Sequence, residues 1–306
     1  MTDAPHIPVL RDETLSYLNP GPGKRFIDGT FGFGGHTREM LETGAEVLGL
    51  DLDGVAFAVC EKMAAEGNGL HCCRISFRHM DEALKRNNWD KVDGVLLDLG
   101  VSSWQLDDPA KGFSYRSDGP LDLRFNQDQG LTAADLVATL SEVELADLIY
   151  RFGEERGSRR IARVLVAARK DAPIETTAQL KDLIESTLPR SKKSSPVLSR
   201  VFQALRIAVN EELEALPEAL AQLTRVIKPG GSFVVISYHS LEDRLVKRFI
   251  DKEKRDCICP PELPVCRCNH KALLKPLTKK AVKASAAEEA ENPRSRSARL
   301  RAATII

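Results

Sequence analysis

Three aspartates each close a short apolar run in the first third of the chain: Arg25-Phe-Ile-Asp28, Glu46-Val-Leu-Gly-Leu-Asp51 and Asp93-Gly-Val-Leu-Leu-Asp98. The first is followed by Gly29-Thr-Phe-Gly-Phe-Gly-Gly35. A glycine-rich turn between strand and helix lets backbone approach a nucleotide closely, because no Cβ intervenes. The spacing excludes the dinucleotide fingerprint G-x-G-x-x-G, since Thr37 stands where a third glycine after Gly32 and Gly34 would fall. It excludes a phosphate-cradling P-loop as well, because no Gly-Lys-Ser/Thr follows. What remains suits a ligand without phosphates. Asp28 would repel a pyrophosphate yet can accept from an ammonium, and Asp51 can hydrogen-bond ribose hydroxyls. S-adenosylmethionine carries an ammonium, a ribose and a sulfonium and no phosphate. His36 contacts such a cofactor or merely opens the following helix, and both readings stand.

The elements that must position these residues alternate in type. Strands are expected at 25–28, 46–51, 70–75 and 93–98, with helices from about His36, over 55–65 and over 80–87. Continuous apolar strands separated by helices indicate a parallel sheet covered on both faces. In such sheets ligands bind beyond the carboxyl ends of the strands, where Asp28, Asp51 and Asp98 fall. The alternation then stops. A turn-rich loop from Leu106 to Asn126 leads into helical patterns at 133–140, 142–152, 158–170 and 177–188 and a long one from near Val197. After the turn Lys228-Pro-Gly-Gly231, a strand over 232–237 and a helix over 241–253 resume the pattern, and 298–305 reads as a final strand. Residues 281–290 read as a low-information connector. The expectation is an α/β domain over 1–105 and 212–306, interrupted by an all-helical insert over 106–211.

Hydrophobic residues at 42% and charged residues at 29% are those of an ordinary soluble globular protein. No apolar run approaches the ~20 residues of a membrane span, and the N-terminal stretch has no apolar core of a secretion signal, so the cytoplasm is the expected location. Net charge is zero overall. Between Arg151 and Arg206, however, 13 Lys/Arg face 6 Asp/Glu, a surplus of 7 positive charges that suits either a solvated helical surface or a phosphate-backbone contact. Seven cysteines, four of them between Cys257 and Cys268, argue for reduced thiols over a secreted disulfide framework. Cys60, Cys72 and Cys73 read as small buried hydrophobes.

Over almost its whole length the chain resembles a known family. His6-Ile-Pro-Val-Leu, Asp28-Gly-Thr-Phe-Gly-Phe-Gly-Gly-His36 and Leu96-Leu-Asp-Leu-Gly-Val-Ser-Ser103 are similar to the bacterial ribosomal RNA small subunit cytosine-N4 methyltransferases. So are Gln105-Leu-Asp-Asp, Gly112-Phe-Ser-Tyr, Gly119-Pro-Leu-Asp-Leu-Arg124, Ile236-Ser-Tyr-His-Ser-Leu-Glu-Asp-Arg244 and Glu291-Asn-Pro-Arg-Ser-Arg-Ser297. The resemblance implies a Rossmann-like class I methyltransferase sheet, mostly parallel with an antiparallel last strand, whose helical insert recognises substrate. It implies methylation of the exocyclic N4 of a decoding-centre cytidine in 16S rRNA. Carried across, the cofactor contacts are Gly34, Gly35, His36, Asp51, Phe77, Asp98 and Gln105.

Asp98 is then the expected catalytic residue. The cytosine N4 lone pair is delocalised into the ring, and an acceptor on one N–H localises it and can take up the proton. Related amino-methyltransferases follow the fourth-strand Asp or Asn with Pro-Pro-aromatic. Here Leu-Gly-Val-Ser-Ser-Trp104 follows, so the stacking partner of the base is one of Trp104, Phe113, Tyr115 and Tyr238. His239 could orient base or phosphate. Arg156, Arg159, Arg160 and Arg163, with Arg190, Lys192 and Lys193, are candidate contacts to rRNA phosphates. Cys257-x-Cys259 and Cys266-x-Cys268 could hold a structural zinc, with His270 as a substitute ligand, although C-x-C is tighter than the usual spacing. Free or redox-active thiols are the other reading. The sequence leaves room for a homodimer. Two competing functions fare worse: a non-catalytic rRNA-binding assembly factor predicts a damaged cofactor loop, and a nicotinamide oxidoreductase fails on glycine spacing.

Overall fold

The computed structural model describes residues 8–189, 194–260, 263 and 265–306. The chain divides into two compact units, residues 1–100 with 214–306 and residues 101–213. In chain order the first unit begins with α1 (Arg11–Leu18), β1 (Arg25–Asp28), α2 (Gly35–Glu42), β2 (Glu46–Leu50), α3 (Gly54–Ala64), β3 (Leu70–Cys73), α4 (Met80–Arg86) and β4 (Val92–Asp98). The second unit carries α5 (Ser103–Asp107), α6 (Ala133–Thr139), α7 (Glu142–Gly153), α8 (Ser158–Ala168), α9 (Thr177–Ser186) and α10 (Ser195–Asn210). Then come α11 (Glu212–Val226), β5 (Ile227–Ser237), α12 (Ser240–Glu253), β6 (Leu274–Pro276), α13 (Ala286–Glu291) and β7 (Arg299–Ile305).

The strands form one seven-stranded sheet in the order β3-β2-β1-β4-β5-β7-β6. β1 to β5 run parallel, and β7 pairs antiparallel with both β5 and β6. The mostly parallel sheet with an antiparallel last strand is therefore present. Neighbouring residues of a strand point to opposite faces, and here each face is a core. Ile27, Leu48, Val95, Leu97, Phe233 and Val235 enter one cluster, whereas Phe26, Val47, Leu96, Val234 and Ile236 enter the other. That is why these strands read as unbroken apolar runs. α11 covers the first face with Leu216, Ala219, Leu220, Leu223 and Val226, the spacing of one helical stripe. Met40 of α2 and Cys60 and Met63 of α3 cover the second.

The strand order reverses between β1, which leads outward through β2 to β3, and β4, which leads through β5. This switch point is where doubly wound sheets bind ligands. Asp28 and Asp98 end the two strands that flank it.

Several elements differ from expectation. The long helix from Val197 is two, broken at Glu211, whose φ of 50° is left-handed. The Lys228-Pro-Gly-Gly turn is enclosed within β5 as a local loss of register against β4 between Val92 and Gly94. α1, α13 and the edge strand β6 were not anticipated, being short or weakly apolar. Cys60 and Cys72 form a disulfide with Cα atoms 5.9 Å apart, which corrects their reading as separate small hydrophobes. The cause is tertiary: α3 packs on β3 and brings the two side chains together. Cys73 alone of the three is free and buried.

The second unit has its own core. Leu145, Ala146 and Ile149 of α7, Ile161, Ala162 and Leu165 of α8, Leu180 and Ile184 of α9, and Val197, Val201, Phe202 and Leu205 of α10 meet there with Phe113, Leu121 and Leu123 of the preceding loop.

Gly94 sits mid-sheet, where a Cβ would stand 2.9 Å from the Phe26 ring and 2.9 Å from the Ser232 carbonyl oxygen. Gly94→Ala should therefore destabilise the sheet by about 1–3 kcal/mol, read as a lower melting temperature. Gly21→Ala, whose Cβ would meet nothing within 4 Å, should leave it unchanged.

Candidate active site

The loop after β1 is held by carboxylates from beneath. Asp28 is 2% exposed, accepts from the Thr37 hydroxyl at 2.7 Å and from the Thr30 N–H at 3.2 Å, and so joins strand end, loop and helix. Burial, the dominant influence, holds its pKa above the ordinary carboxylate value. Thr30 Oγ1 in turn accepts from the Asp98 N–H at 2.6 Å, tying the loop to β4. Gly34 closes the turn as the residue capping α2, with φ of 74° and space for a Cβ denied by Phe31 and Met63. A side chain there meets both objections at once.

Asp51 stands just past β2, half-buried, and accepts from Gly32 N–H at 2.8 Å and from Asp53 N–H at 2.9 Å. Each carboxylate oxygen holds one backbone amide and keeps a lone pair for a further donor. Desolvation outweighs these bonds and pushes the carboxyl up to about 6.

Asp98 is 24% exposed at the side chain. Its Oδ1 accepts from the Tyr238 hydroxyl at 2.9 Å, and its Oδ2 lies 3.6 Å from His36 Nε2. Burial first and the Asp98 charge second raise the Tyr238 phenol well above its usual pKa, which keeps the proton on that oxygen and the donation to Asp98 in place. His36 is 5% exposed, and neither ring nitrogen has a hydrogen-bond partner among the described residues. Buried polar atoms are nearly always paired. A buried imidazole with no hydrogen bond at either nitrogen, between a glycine loop and the Asp98 carboxylate, fits a polar cofactor.

The other anticipated residues separate. Gly35 is the first residue of α2, and Phe77 lies in the 3-10 turn after β3, its Cβ 3.0 Å from where a Cβ on Gly29 would stand. Tyr238 and His239 follow β5 in the same unit. His239 Nδ1 accepts from the Glu242 N–H at 3.5 Å in a capping box at the start of α12, and its Nε2 lies 3.1 Å from Glu242 Oε1. Gln105 and Trp104 belong to α5 in the second unit, where Gln105 completes a capping box with Ser102 and Lys111 Nζ sits 5.4 Å from the Trp104 ring centre. Phe113 is buried and stacks on Phe125 at 5.5 Å, which makes it a core residue. The Tyr115 hydroxyl is 3.0 Å from both Ser195 Oγ and Ser199 Oγ of α10. Arg159, Arg160 and Arg163 point to solvent from α8, while Ile161, Ala162 and Leu165 face inward. Arg163 has an ionic neighbour, Glu142, at 3.6 Å. Arg190, Lys192 and Lys193 lie outside the described residues.

Sequence reasoning passed over two features. Thr30 and Thr37 carry the hydrogen bonds that lock the loop, and their only signal was position beside Asp28 and His36. A polar cavity of about 270 Å³ is lined by Tyr238, His239, Ser240, Lys283, Arg296 and Arg299. Lys283 comes from a segment read as connector, Arg296 from the Asn-Pro-Arg-Ser-Arg motif at 292–296 and Arg299 from the start of β7, which pairs antiparallel with β5.

A family profile described as the MraW methylase family matches residues 3–306. The ribosomal RNA small subunit methyltransferase H of Thermomicrobium roseum is 48% identical over 305 residues, covering 98% of this chain and 94% of that protein. Its namesake in Geotalea uraniireducens is 47% identical and covers 100% of both chains. The one from Granulibacter bethesdensis is 46% identical over 97% of this chain and 90% of its own.

Ribose hydroxyls donate more strongly to a carboxylate than to a carboxyl, so Asp51, were it to hold a ribose, would do so best when ionised. Affinity for S-adenosylhomocysteine, measured by calorimetry, should be level well above pH 6 and fall as pH drops through about 6, where Asp51 takes up its proton. The limiting slope is about tenfold per pH unit. Asp51→Asn should bind weakly at every pH and flatten the profile.

Proposed function

The chain belongs to the MraW methylase family, and from that premise we propose that it transfers the methyl group of S-adenosylmethionine to the exocyclic N4 of a decoding-centre cytidine in 16S rRNA of the small ribosomal subunit. The observation that carries the reading is Asp98: an acceptor carboxylate at the switch point, beside the glycine loop and bonded to a protonated Tyr238. Among the described residues no helix is long and apolar enough to cross a membrane, and we assign the activity to the cytoplasm, where small subunits are assembled.

When bound, the sulfonium supplies an electrophilic methyl carbon whose bond to sulfur breaks as the new bond to nitrogen forms. The protein's part is to prepare the nitrogen. Asp98 Oδ1 is engaged by Tyr238, which leaves Oδ2 to accept one N4–H, draw electron density onto the nitrogen and receive the proton released after transfer. Tyr238 limits the directions Asp98 can turn, which is a positioning role. Gly34, Gly35, His36 and Asp51 hold the donor, with Phe77 bordering its adenine. Trp104, Tyr115 and Tyr238 are the candidate platforms for the base, since Phe113 is buried in a core. The basic cavity beside Tyr238 suits a phosphate flanking the displaced nucleotide. Arg159 and Arg160, exposed on α8, would meet rRNA phosphates.

Methyl transfer to small subunits and to naked 16S rRNA that lack the mark tests the reading. Asp98→Ala should lower kcat by roughly 10²–10⁴-fold with the protein still folded. Tyr238→Phe should lower it by roughly tenfold, the worth of one hydrogen bond to a charged group. An unchanged rate for Asp98→Ala would remove the assignment. Wild-type protein that bound subunits without methylating either substrate would instead be an assembly factor. Separately, reversing Arg159 and Arg160 to Glu should weaken rRNA binding and flatten its logarithmic salt dependence by roughly 0.7–0.9 for each phosphate no longer neutralised. The affinity for S-adenosylhomocysteine should not change.

A further inference from the structure

The chain between α12 and β6 holds four cysteines that methyl transfer does not use. They come in two arms, Cys257-Ile-Cys259 and Cys266-Arg-Cys268. All four are free, two of them exposed and two half-buried. Their sulfurs nevertheless lie within 4.8 Å of one another. Cys266 and Cys268 Sγ are 3.6 Å apart, and Cys268 and Cys257 Sγ are 3.8 Å apart. A tetrahedral zinc with Zn–S bonds of about 2.3 Å places its sulfurs about 3.8 Å apart. The arms therefore already stand close to the edge length of that tetrahedron.

We propose that Cys257, Cys259, Cys266 and Cys268 bind one Zn²⁺ as a tetrathiolate. The backbone supports it reciprocally. The N–H of Ile258, within the first arm, donates to Cys268 Sγ at 3.4 Å, and the N–H of Arg267, within the second, donates to Cys259 Sγ at 3.3 Å. Amide hydrogen bonds to sulfur favour the thiolate, which is the ligating form. Four thiols near water have little reason of their own to converge, since S–H is a weak donor and the surroundings bury little. Zinc supplies the reason: one Zn²⁺ displaces four thiol protons and leaves a site of net charge −2, with Arg255, Arg267 and Lys271 in the same loop to offset it.

The sequence offered His270 as a replacement ligand, and the structure corrects that. Its Nδ1 is 2.8 Å from the Arg255 carbonyl oxygen and its Nε2 is 3.0 Å from the Glu253 carboxylate, so both nitrogens are engaged away from the sulfurs. With four protein ligands no position is left for substrate, which makes the site structural. Its task is to close the loop that leaves α12 at Glu253 and returns to the sheet edge, where Leu273 N–H donates to the Glu253 carbonyl at 2.8 Å.

Elemental analysis of the full chain purified under reducing conditions should find one zinc per molecule. After removal of metal by a chelator under reductant, added Co²⁺ should produce the thiolate-to-metal charge transfer and visible d–d absorption of a tetrahedral thiolate site, and one equivalent of Zn²⁺ should abolish them. The Cys266→Ser/Cys268→Ser double variant should lose the metal. The wild-type titration decides by itself should that variant fail to fold. Protein that is isolated without metal, and that takes up no stoichiometric zinc after reduction, overturns the proposal. Stoichiometric iron overturns the choice of zinc. None of these readouts depends on methyl transfer, so the site and the proposed function can fail separately.

Discussion

A carboxylate buried away from water is among the costliest groups a fold can contain, and Asp28 is held in that condition by hydrogen bonds. Thr37 satisfies it from α2 and the Thr30 amide from the loop. The Thr30 hydroxyl then receives the Asp98 amide from β4. One node thus fixes the strand end, the loop, the helix start and the neighbouring strand across the switch point. Remove the carboxylate and Thr37 and Thr30 lose their common partner. The direction of the glycine loop, and with it everything the loop can touch, rests on this junction.

The three strand-end aspartates share a sequence position and differ in task, and burial separates them. Asp28 is sealed and spent on architecture. Asp51 is half-open, bracing Gly32 and Asp53 while keeping capacity for an incoming donor. Asp98 is likewise partly exposed, with one oxygen engaged by Tyr238 and the other facing His36. The same residue type is thus a brace at Asp28 and, under the proposed function, a ligand at Asp51 and an acceptor at Asp98, according to its burial and the donors around it.

Much of this was legible because its causes are local or periodic. Strand runs without polar interruption predicted a sheet covered on both faces, and the carboxylates after those runs predicted the edge at which a ligand belongs. The family motifs supplied what physics could not, the acceptor base. Features that arise only when distant segments meet were hidden. Cys60 and Cys72 read as ordinary core residues until α3 lay on β3. The cations of the polar cavity, Lys283, Arg296 and Arg299, lie far from Tyr238 in the sequence and meet it only in the fold. The Glu211 break had no glycine or proline to announce it.

Residues 101–213 interrupt the sheet between its fourth and fifth strands, and they bring a core of their own. A chain made from its N-terminus presents β1 to β4 first and then the whole helical unit, long before β5, α12 and β7 exist to complete the sheet. The helical unit has its internal partners as soon as it is made. The catalytic unit does not, because β4 must wait for a strand more than a hundred residues downstream, and Asp98 must wait for Tyr238. The order of synthesis therefore makes the aspect of the molecule that performs chemistry the last to be assembled, so that an incomplete chain can hold a folded helical unit while lacking an active centre.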